Sequence, residues 1–448
     1  MLVKINKGLD IRLKGKPALQ LETLEDSGLY AIKPTDFPGL TPKLAVKVDD
    51  EVKAGSALFY NKKLPELKFT SPVSGKVVAI NRGERRRILE VVVESDGKRE
   101  SLDFKKGDPK GLSRNEIKET LLSSGLWPFI KQRPFNIIAD PEESPRAIFL
   151  SAFDSAPLAP DNEFILKDHK VVLQTGIDAL SMLTDGKVYV GIRKGTVPES
   201  VFTAINGIEI NEFDGPHPAG TVGVQIHHIS PINKAEIVWV IQPQDILAIG
   251  RLFEKGILDT ERILSLAGSE VNEPKYYKTI LGASVRNMVD GNVNDGNLRF
   301  ISGNVLTGEK ISREGYTGYY DNQVTVIPEG DHHEMFGWIM PRLKKFSTSM
   351  SYFSWMMPKK EFVSDTNLNG GQRAFVVSGQ YEKVLPMDIY PVELLKAAII
   401  GDIDKMENLG IYEVAEEDMA LCEFVCTSKI EVQSILREGF DMMIKELG

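Results

Sequence analysis

Ala147-Ile-Phe-Leu-Ser-Ala-Phe-Asp-Ser-Ala-Pro-Leu-Ala-Pro160 is the stretch on which the fold turns. Its first four residues, Ala147-Ile-Phe-Leu150, read as an apolar strand. Lys187-Val-Tyr-Val190 and Glu236-Ile-Val-Trp-Val240 repeat it, and helical patterns lie at about 161–183 and 243–254. Strands alternating with helices predict a mostly parallel, Rossmann-like α/β domain over 101–258, with a capping box at Ser113-Arg-Asn-Glu116 opening its first helix. The turn that follows Leu150 contains no glycine, although phosphate sites need glycines so that backbone N–H groups can approach closely. Gly191-Ile-Arg-Lys-Gly195 is a weaker signal still, so neither NADH nor flavin is expected to bind here.

Upstream, residues 1–100 are rich in short β patterns. Leu44–Phe59 alternates around Asp49-Asp50, and Thr70-Ser-Pro-Val-Ser-Gly-Lys-Val-Val-Ala-Ile80 alternates after a Pro/Gly turn. Both resemble the half-repeats of biotinyl and lipoyl domains, which implies a barrel-sandwich fold. The intervening Asn61-Lys-Lys-Leu-Pro-Glu-Leu-Lys68 is longer than a carrier hairpin, so Lys62 and Lys63 read as solvated rather than modified.

Downstream, 259–330 is a compact β region dense in Gly, Asn and Asp turns, with strands expected in Leu281–Val289 and Arg299–Gly308. The following 331–380 is expected to be β-rich. It sets Trp338, Met340, Trp355 and Met356 beside paired lysines, a mixture that suits docking to a partner or a membrane as well as an ordinary core with a solvated rim. Residues 381–448 are helical, with Pro391 opening one helix and a capping box at Ser428 and Glu431 opening another. Cys422 and Cys426 have the spacing of the last two ligands in the C-x-x-C-x-x-C-x-x-x-C-P run of ferredoxin-like iron–sulfur domains. The two earlier ligand positions fall on Met419 and Glu416, a poor substitute for two thiolates, so these four read as a remnant without a cluster.

At 448 residues, 26% charged and with a net charge of -9, the chain is a multidomain globular protein poorly suited to nucleic acid. No apolar run reaches the roughly 20 residues needed to cross a bilayer, and no signal peptide is visible, which predicts a cytoplasmic location. His217, His227 and His228 fall within twelve residues. Histidine suits a quinone carbonyl and a proton transfer, but adjacent His227 and His228 on a strand would face opposite sides, against a metal reading. Asp331-His-His-Glu334 is rejected as a metal site because four consecutive residues rarely converge on one ion.

Met1–Asp10, Ser71-Pro-Val-Ser-Gly-Lys76, Gly215-Pro-His-Pro-Ala-Gly220, Ile301-Ser-Gly-Asn-Val-Leu-Thr-Gly308 and Leu421-Cys-Glu-Phe-Val-Cys426 together resemble the NqrA family of the sodium-translocating NADH:quinone oxidoreductase. The resemblance covers essentially the whole chain. It implies a β-grasp (SLBB-like) module, a ferredoxin-like helical end, and a peripheral subunit on the cytoplasmic side of a six-subunit membrane complex. That complex oxidises NADH, reduces ubiquinone or a related quinone and exports sodium. The resemblance implies partners among its other subunits, including integral membrane ones, a part at the quinone-reducing end, and flavins and iron–sulfur centres held by subunits other than this one. The related Rnf C subunit carries a glycine-rich flavin loop where this chain reads Ser124-Gly-Leu-Trp-Pro-Phe-Ile-Lys-Gln-Arg-Pro134. Trp127 and Phe129 would block the approach those glycines permit, and are expected instead to offer a flat slot for a quinone ring. The alternatives are an Rnf-type electron carrier and a free-standing ligand-binding β-grasp protein.

Overall fold

A computed structural model describes residues 1–24, 28–331, 335–336, 342–348 and 350–447. Among the described residues the strands gather into four sheets. The central one has seven strands in the order Leu2–Lys4, Glu209–Asp214, Lys187–Arg193, Ala147–Ser151, Val238–Val240, Lys131–Arg133 and Ile137–Ile138. Its first five strands run parallel, and Lys131–Arg133 pairs antiparallel to Val238–Val240. Ile148, Phe149 and Leu150 are almost fully buried, as a strand covered on both faces requires.

Helices supply that cover. Lys170–Ser181 and Pro243–Lys255 lie side by side, and glycines set the distance between them. A Cβ on Gly176 would sit 2.4 Å from the Ile246 carbonyl oxygen, and one on Gly250 would sit 2.0 Å from that of Val172. Opposite, helix Val222–Ile229 packs Ile226 against Ala147, Phe149, Val238 and Val240.

A four-stranded sheet (Leu29–Ile32, Ile88–Ser95, Gly75–Arg82, Glu51–Val52) and a three-stranded one (Pro42–Leu44, Ala57–Asn61, Lys68–Thr70) form the N-terminal unit. Asp49 takes a left-handed φ of 77° at the expected Asp-Asp turn. The six-stranded sheet is built mainly from 261–328, with Leu21–Thr23 added at one edge.

Three expectations need correction. Leu281–Val289 is a turn leading into a short helix, Arg286–Val289, whose Met288 and Val289 are buried under the sheet. The stretch 331–380 is not β-rich: its described residues hold a 3-10 turn at Phe353–Met356 and one isolated bridge, Leu13 to Phe362, and Arg12 of the N-terminal segment takes up backbone carbonyls there that a sheet would otherwise pair. Ser428 caps no helix; its hydroxyl donates to the Ala374 carbonyl, and helix Val432–Leu447 receives the Glu423 carboxylate at Gln433 N–H instead.

The α/β layer and the six-stranded sheet meet at a buried ion pair. Arg262 reaches from strand Glu261–Ala267 to Asp245 in helix Pro243–Lys255, and both side chains are buried. Arg262 Nη1 also donates to the Tyr319 carbonyl at 2.9 Å. Truncating one partner of such a pair strands the other charge in a dry site. Arg262→Ala is expected to destabilise the protein by about 3–5 kcal/mol in chemical denaturation, whereas the paired change Arg262→Met with Asp245→Leu recovers most of the loss.

Candidate functional site

The carboxyl ends of Ala147–Ser151 and Val238–Val240 open on a cleft of about 510 Å³. The chain leaves the first strand towards Lys187–Arg193 on one side and returns at Val238–Val240 on the other, so strand order reverses between them. Open α/β sheets bind ligands at such a switch point, and the volume suits a small organic molecule. The β-grasp loops from Gly303 to Gln323 form a second wall, and Glu416, Glu417 and Gln433 of the helical end form a third.

Two helices begin at the rim, Val222–Ile229 after Thr221 and Pro243–Lys255 after Gln242, and neither preceding residue caps its helix with a side chain. Helix N-termini attract anions, but the remaining lining opposes them. Asp36, Asp154, Glu309, Asp321, Glu416 and Glu417 contribute carboxyl groups against one lysine, Lys131. The Lys131 ammonium lies 3.8 Å from the Tyr320 ring centroid, and burial lowers its pKa. Gly191, the glycine nearest a phosphate-loop position, abuts Gln225: a Cβ there would lie 2.0 Å from Gln225 Oε1. The cleft therefore lies where open α/β sheets bind ligands, with carboxyl groups outnumbering cations in its lining.

Burial also tunes two carboxyl groups in the lining. Asp36 is pushed up to about 7 by loss of solvent, despite Lys33 at 3.9 Å and the Tyr319 N–H donating to its Oδ2 at 2.8 Å. Asp154 is raised by burial as well, against two backbone N–H donors. His217 is depressed to about 4 because its ring is desolvated, so the imidazole is neutral at physiological pH. Its Nδ1 lies 3.0 Å from Ser155 Oγ, and its backbone N–H donates to Asp10 Oδ1 at 2.9 Å.

Of the residues singled out from sequence, His217 and Glu416 line the cleft. Trp127 and Phe129 do not make an open slot. Both rings are enclosed in the core: Trp127 Nε1 donates to the Ala139 carbonyl and its ring meets Trp239 edge-on, while Phe129 packs on Tyr319 at 4.9 Å. They stand behind the cleft wall. His227 and His228 sit on a helix, not a strand, since the run after Thr221 has no alternation to hold it extended. His227 Nε2 accepts from the Asp388 N–H and Nδ1 donates to Glu413 at 2.7 Å, joining the α/β layer to the helical end; His228 Nδ1 donates back to the Val224 carbonyl. Cys422, Cys426 and Met419 are buried together in the C-terminal core as free thiols and a thioether, and burial raises the Cys422 pKa. Glu416 faces away from them, accepting from Asn136 Nδ2 and from Arg437. Among the described residues no group of three or more His, Cys, Asp or Glu side chains converges as a metal site. Trp355 and Met356 are exposed on the 3-10 turn; Trp338, Met340 and His332-His-Glu334 of the acidic-histidine run fall outside the described residues. Lys131, Tyr319 and Tyr320 are cleft residues that the sequence does not single out; nor does it single out Ser155, which contacts the lining residue His217. Ser155 lies in the glycine-free turn, and Tyr319 and Tyr320 form a doublet in Gly315-Tyr-Thr-Gly-Tyr-Tyr320, but neither pattern has a chemistry of its own without the fold.

Comparison with known proteins converges on one family. The NqrA N-terminal barrel-sandwich hybrid domain matches residues 3–96, the NqrA second alpha/beta domain residues 112–258, and the NQRA C-terminal domain residues 263–313. The A-subunit of the Na(+)-translocating NADH-quinone reductase of Yersinia pestis bv. Antiqua (strain Angola) is 41% identical over 98% of each chain. That of Vibrio alginolyticus is 40% identical over 99% of this chain and 100% of its own. Among solved structures, a chain of the NAD+-reducing [NiFe]-hydrogenase in the air-oxidized state overlays 49% of this chain and 45% of its own, with a TM-score of 0.32 at 12% identity, too loose a likeness to bear on the site.

The raised Asp36 carboxyl gives stability a pH dependence of known sign. A carboxyl whose pKa is raised by folding favours the protein below its unfolded value near 3.8, and that advantage is lost as pH climbs through about 7. Asp36→Asn keeps an acceptor for Tyr319 N–H but cannot ionise. It should raise the denaturation midpoint at pH 8, by on the order of 1–4 kcal/mol in stability, with the gain shrinking to nothing near pH 4.

Proposed function

The chain belongs to the NqrA family, the A-subunits of the Na(+)-translocating NADH-quinone reductase, and from that premise we propose that it works as a peripheral component of such a complex, placed at the quinone-reducing end. The observation that carries this is identity of about 40% maintained from end to end with relatives of that name. Among the described residues no helix is long and apolar enough to cross a membrane, which fits a protein that docks onto integral membrane partners from the cytoplasmic side.

The cleft supports a division of labour. Carboxyl groups outnumber the single lysine of its lining, which offers the phosphates of NADH and flavins little, even though Glu416 and Glu417 are paired with arginines and burial raises Asp36 and Asp154. Bulky rings at Trp127 and Phe129 stand where the resemblance to the Rnf relatives would place a glycine-rich flavin loop. A neutral quinone meets neither obstacle. On this reading the helical end is a ferredoxin-like scaffold whose two thiols hold no cluster, and electrons pass through flavins and iron–sulfur centres in the other subunits. An Rnf-like electron carrier would instead show iron and flavin in the purified chain.

Trp355 and Met356 fit the contact with those subunits. They are 54% and 61% exposed on a turn pinned by Arg12, whose Nη1 donates to the Met357 carbonyl at 2.7 Å. Because the anchoring hydrogen bonds are backbone-directed, Trp355→Ala with Met356→Ala should leave the fold intact. Tagged wild-type chain should co-purify with integral membrane subunits from detergent-solubilised membranes, and the double variant should recover at least about tenfold less of them. Equal recovery removes this surface from the interface. Failure of the wild type to bring down any membrane subunit would overturn the proposed function itself.

A further inference from the structure

The hairpin formed by strands Gly75–Arg82 and Ile88–Ser95 ends in Arg82-Gly-Glu-Arg-Arg-Arg87, four arginines and one acid within six residues of a chain whose net charge is -9. The turn is tight: Arg87 N–H donates to the Glu84 carbonyl at 3.0 Å, and Gly83 N–H donates to the Arg87 carbonyl at 2.9 Å. Between them Arg85 and Arg86 both take left-handed backbone, with φ of 51° and 63°. Two consecutive left-handed residues are the requirement of a type I′ hairpin turn, where Asn-Gly is strongly preferred because a larger side chain crowds the following carbonyl. The chain places two arginines there instead.

No carboxylate answers their charge. All four arginines are exposed, and among the described residues none forms an ion pair, whereas the enclosed Arg133, Arg262 and Arg437 each hold a carboxylate. Arg82 Nη1 donates to the Arg86 carbonyl at 3.0 Å, which shapes the loop. Leu89 beside the cluster is exposed although Ile88 is buried, and it lies over Gly83, where a Cβ would meet Leu89 Cδ2 at 3.1 Å. Planar guanidinium forks suit phosphate groups, and an exposed leucine next to them suits the apolar boundary under a layer of headgroups.

Resting on the function proposed above, which sets the chain beside integral membrane partners, we infer that this hairpin tip docks on the bilayer itself, with Arg85, Arg86 and Arg87 binding the phosphates of anionic phospholipids. An acidic protein segment would need a groove to seat it. Asn81, Arg82 and all of Glu84 to Arg87 are exposed, so the tip is a projecting knob, the shape that meets a flat charged surface. Each arginine near such a surface strengthens partitioning roughly fivefold at low salt.

The test sediments the purified full-length chain with two kinds of vesicle, phosphatidylglycerol mixed with phosphatidylethanolamine, and phosphatidylcholine alone. The chain should sediment with the first and not the second, and added salt should release it. Arg85→Gln, Arg86→Gln and Arg87→Gln together should weaken partitioning by at least about tenfold, while Lys at the same three positions should stay within about threefold of wild type. Arg82 is kept because it holds the loop, and unchanged thermal unfolding confirms that both variants fold. No sedimentation of the wild type with anionic vesicles, equal binding to both kinds, a glutamine variant that partitions like the wild type, or a lysine variant as weak as the glutamine one each overturns the proposal. So does a glutamine variant that loses co-purification with membrane subunits while its vesicle binding is unchanged, which assigns the cluster to an acidic protein segment. The functional reading falls separately, when the wild-type chain brings down no membrane subunit.

Discussion

The Arg262–Asp245 pair is the contact on which the cleft depends. Asp245 is the third residue of helix Pro243–Lys255, at the carboxyl end of the parallel sheet, and Arg262 lies in the six-stranded sheet. Two charges leave water to make this contact, and a second oxygen of Asp245 has no partner, so the pair itself contributes little net stability. What it fixes is placement. Arg262 also holds the carbonyls of Tyr319 and Asp321, and Tyr319 and Tyr320 then bond through their hydroxyls to the Gly125 and Pro128 carbonyls. One guanidinium thus sets the β-grasp wall of the cleft against the α/β wall. Burial raises Asp245, and the opposing Arg262 holds it to about 6, so the pair is charged near neutral pH and the link is in place there.

The same geometry gives the switch point a lining unlike that of a phosphate-binding loop. Brought to this position by the reversal in strand order, two helix N-termini would favour a phosphate by only about 0.3–1 kcal/mol each in solvent-exposed settings. The lining answers with six carboxyl groups, of which Glu416 and Glu417 are paired with Arg437 and Arg133 while burial raises Asp36 and Asp154. Behind the wall the packing is aromatic: Trp127 meets Trp239 and Phe129 meets Tyr319, so ring edges fill that part of the core. A ligand without charge is the class that neither effect penalises.

Much of this is legible in the chain. Apolar runs at Ala147–Leu150 and Lys187–Val190 point to the parallel sheet, because such runs are a local property of sequence. His217 is legible as a residue type suited to quinone, but its contact with Ser155, 62 positions away, is not. Trp127 and Phe129 differ from expectation for a related reason. Their size alone argues against flavin, but whether a large ring lines a surface or fills a core depends on what packs against it, and Trp239 and Tyr319 come from distant segments. An adjacent pair such as His227 and His228 carries no period, so it cannot tell strand from helix; the helix is set by Ile226 and Val224, which are buried beside it.

The C-terminal thiols follow the same logic. In the cluster-binding pattern Glu416 occupies the first ligand position, but here its carboxylate is committed to Arg437 and Asn136, and the neighbouring Glu417 to Arg133 at 2.6 Å. Behind them Asp418 is buried 3.5 Å from Arg133, in space left by Gly223, where a Cβ would lie 2.2 Å from its Oδ2. Three consecutive acidic residues therefore seal the helical end onto the α/β layer, with Glu416 and Glu417 lining the cleft, while Met419, Cys422 and Cys426 turn into the apolar core. These two directions cannot serve one metal cluster, since its ligands must converge. The residues that would begin a cluster site instead close the third wall of the cleft, and that task accounts for their orientation.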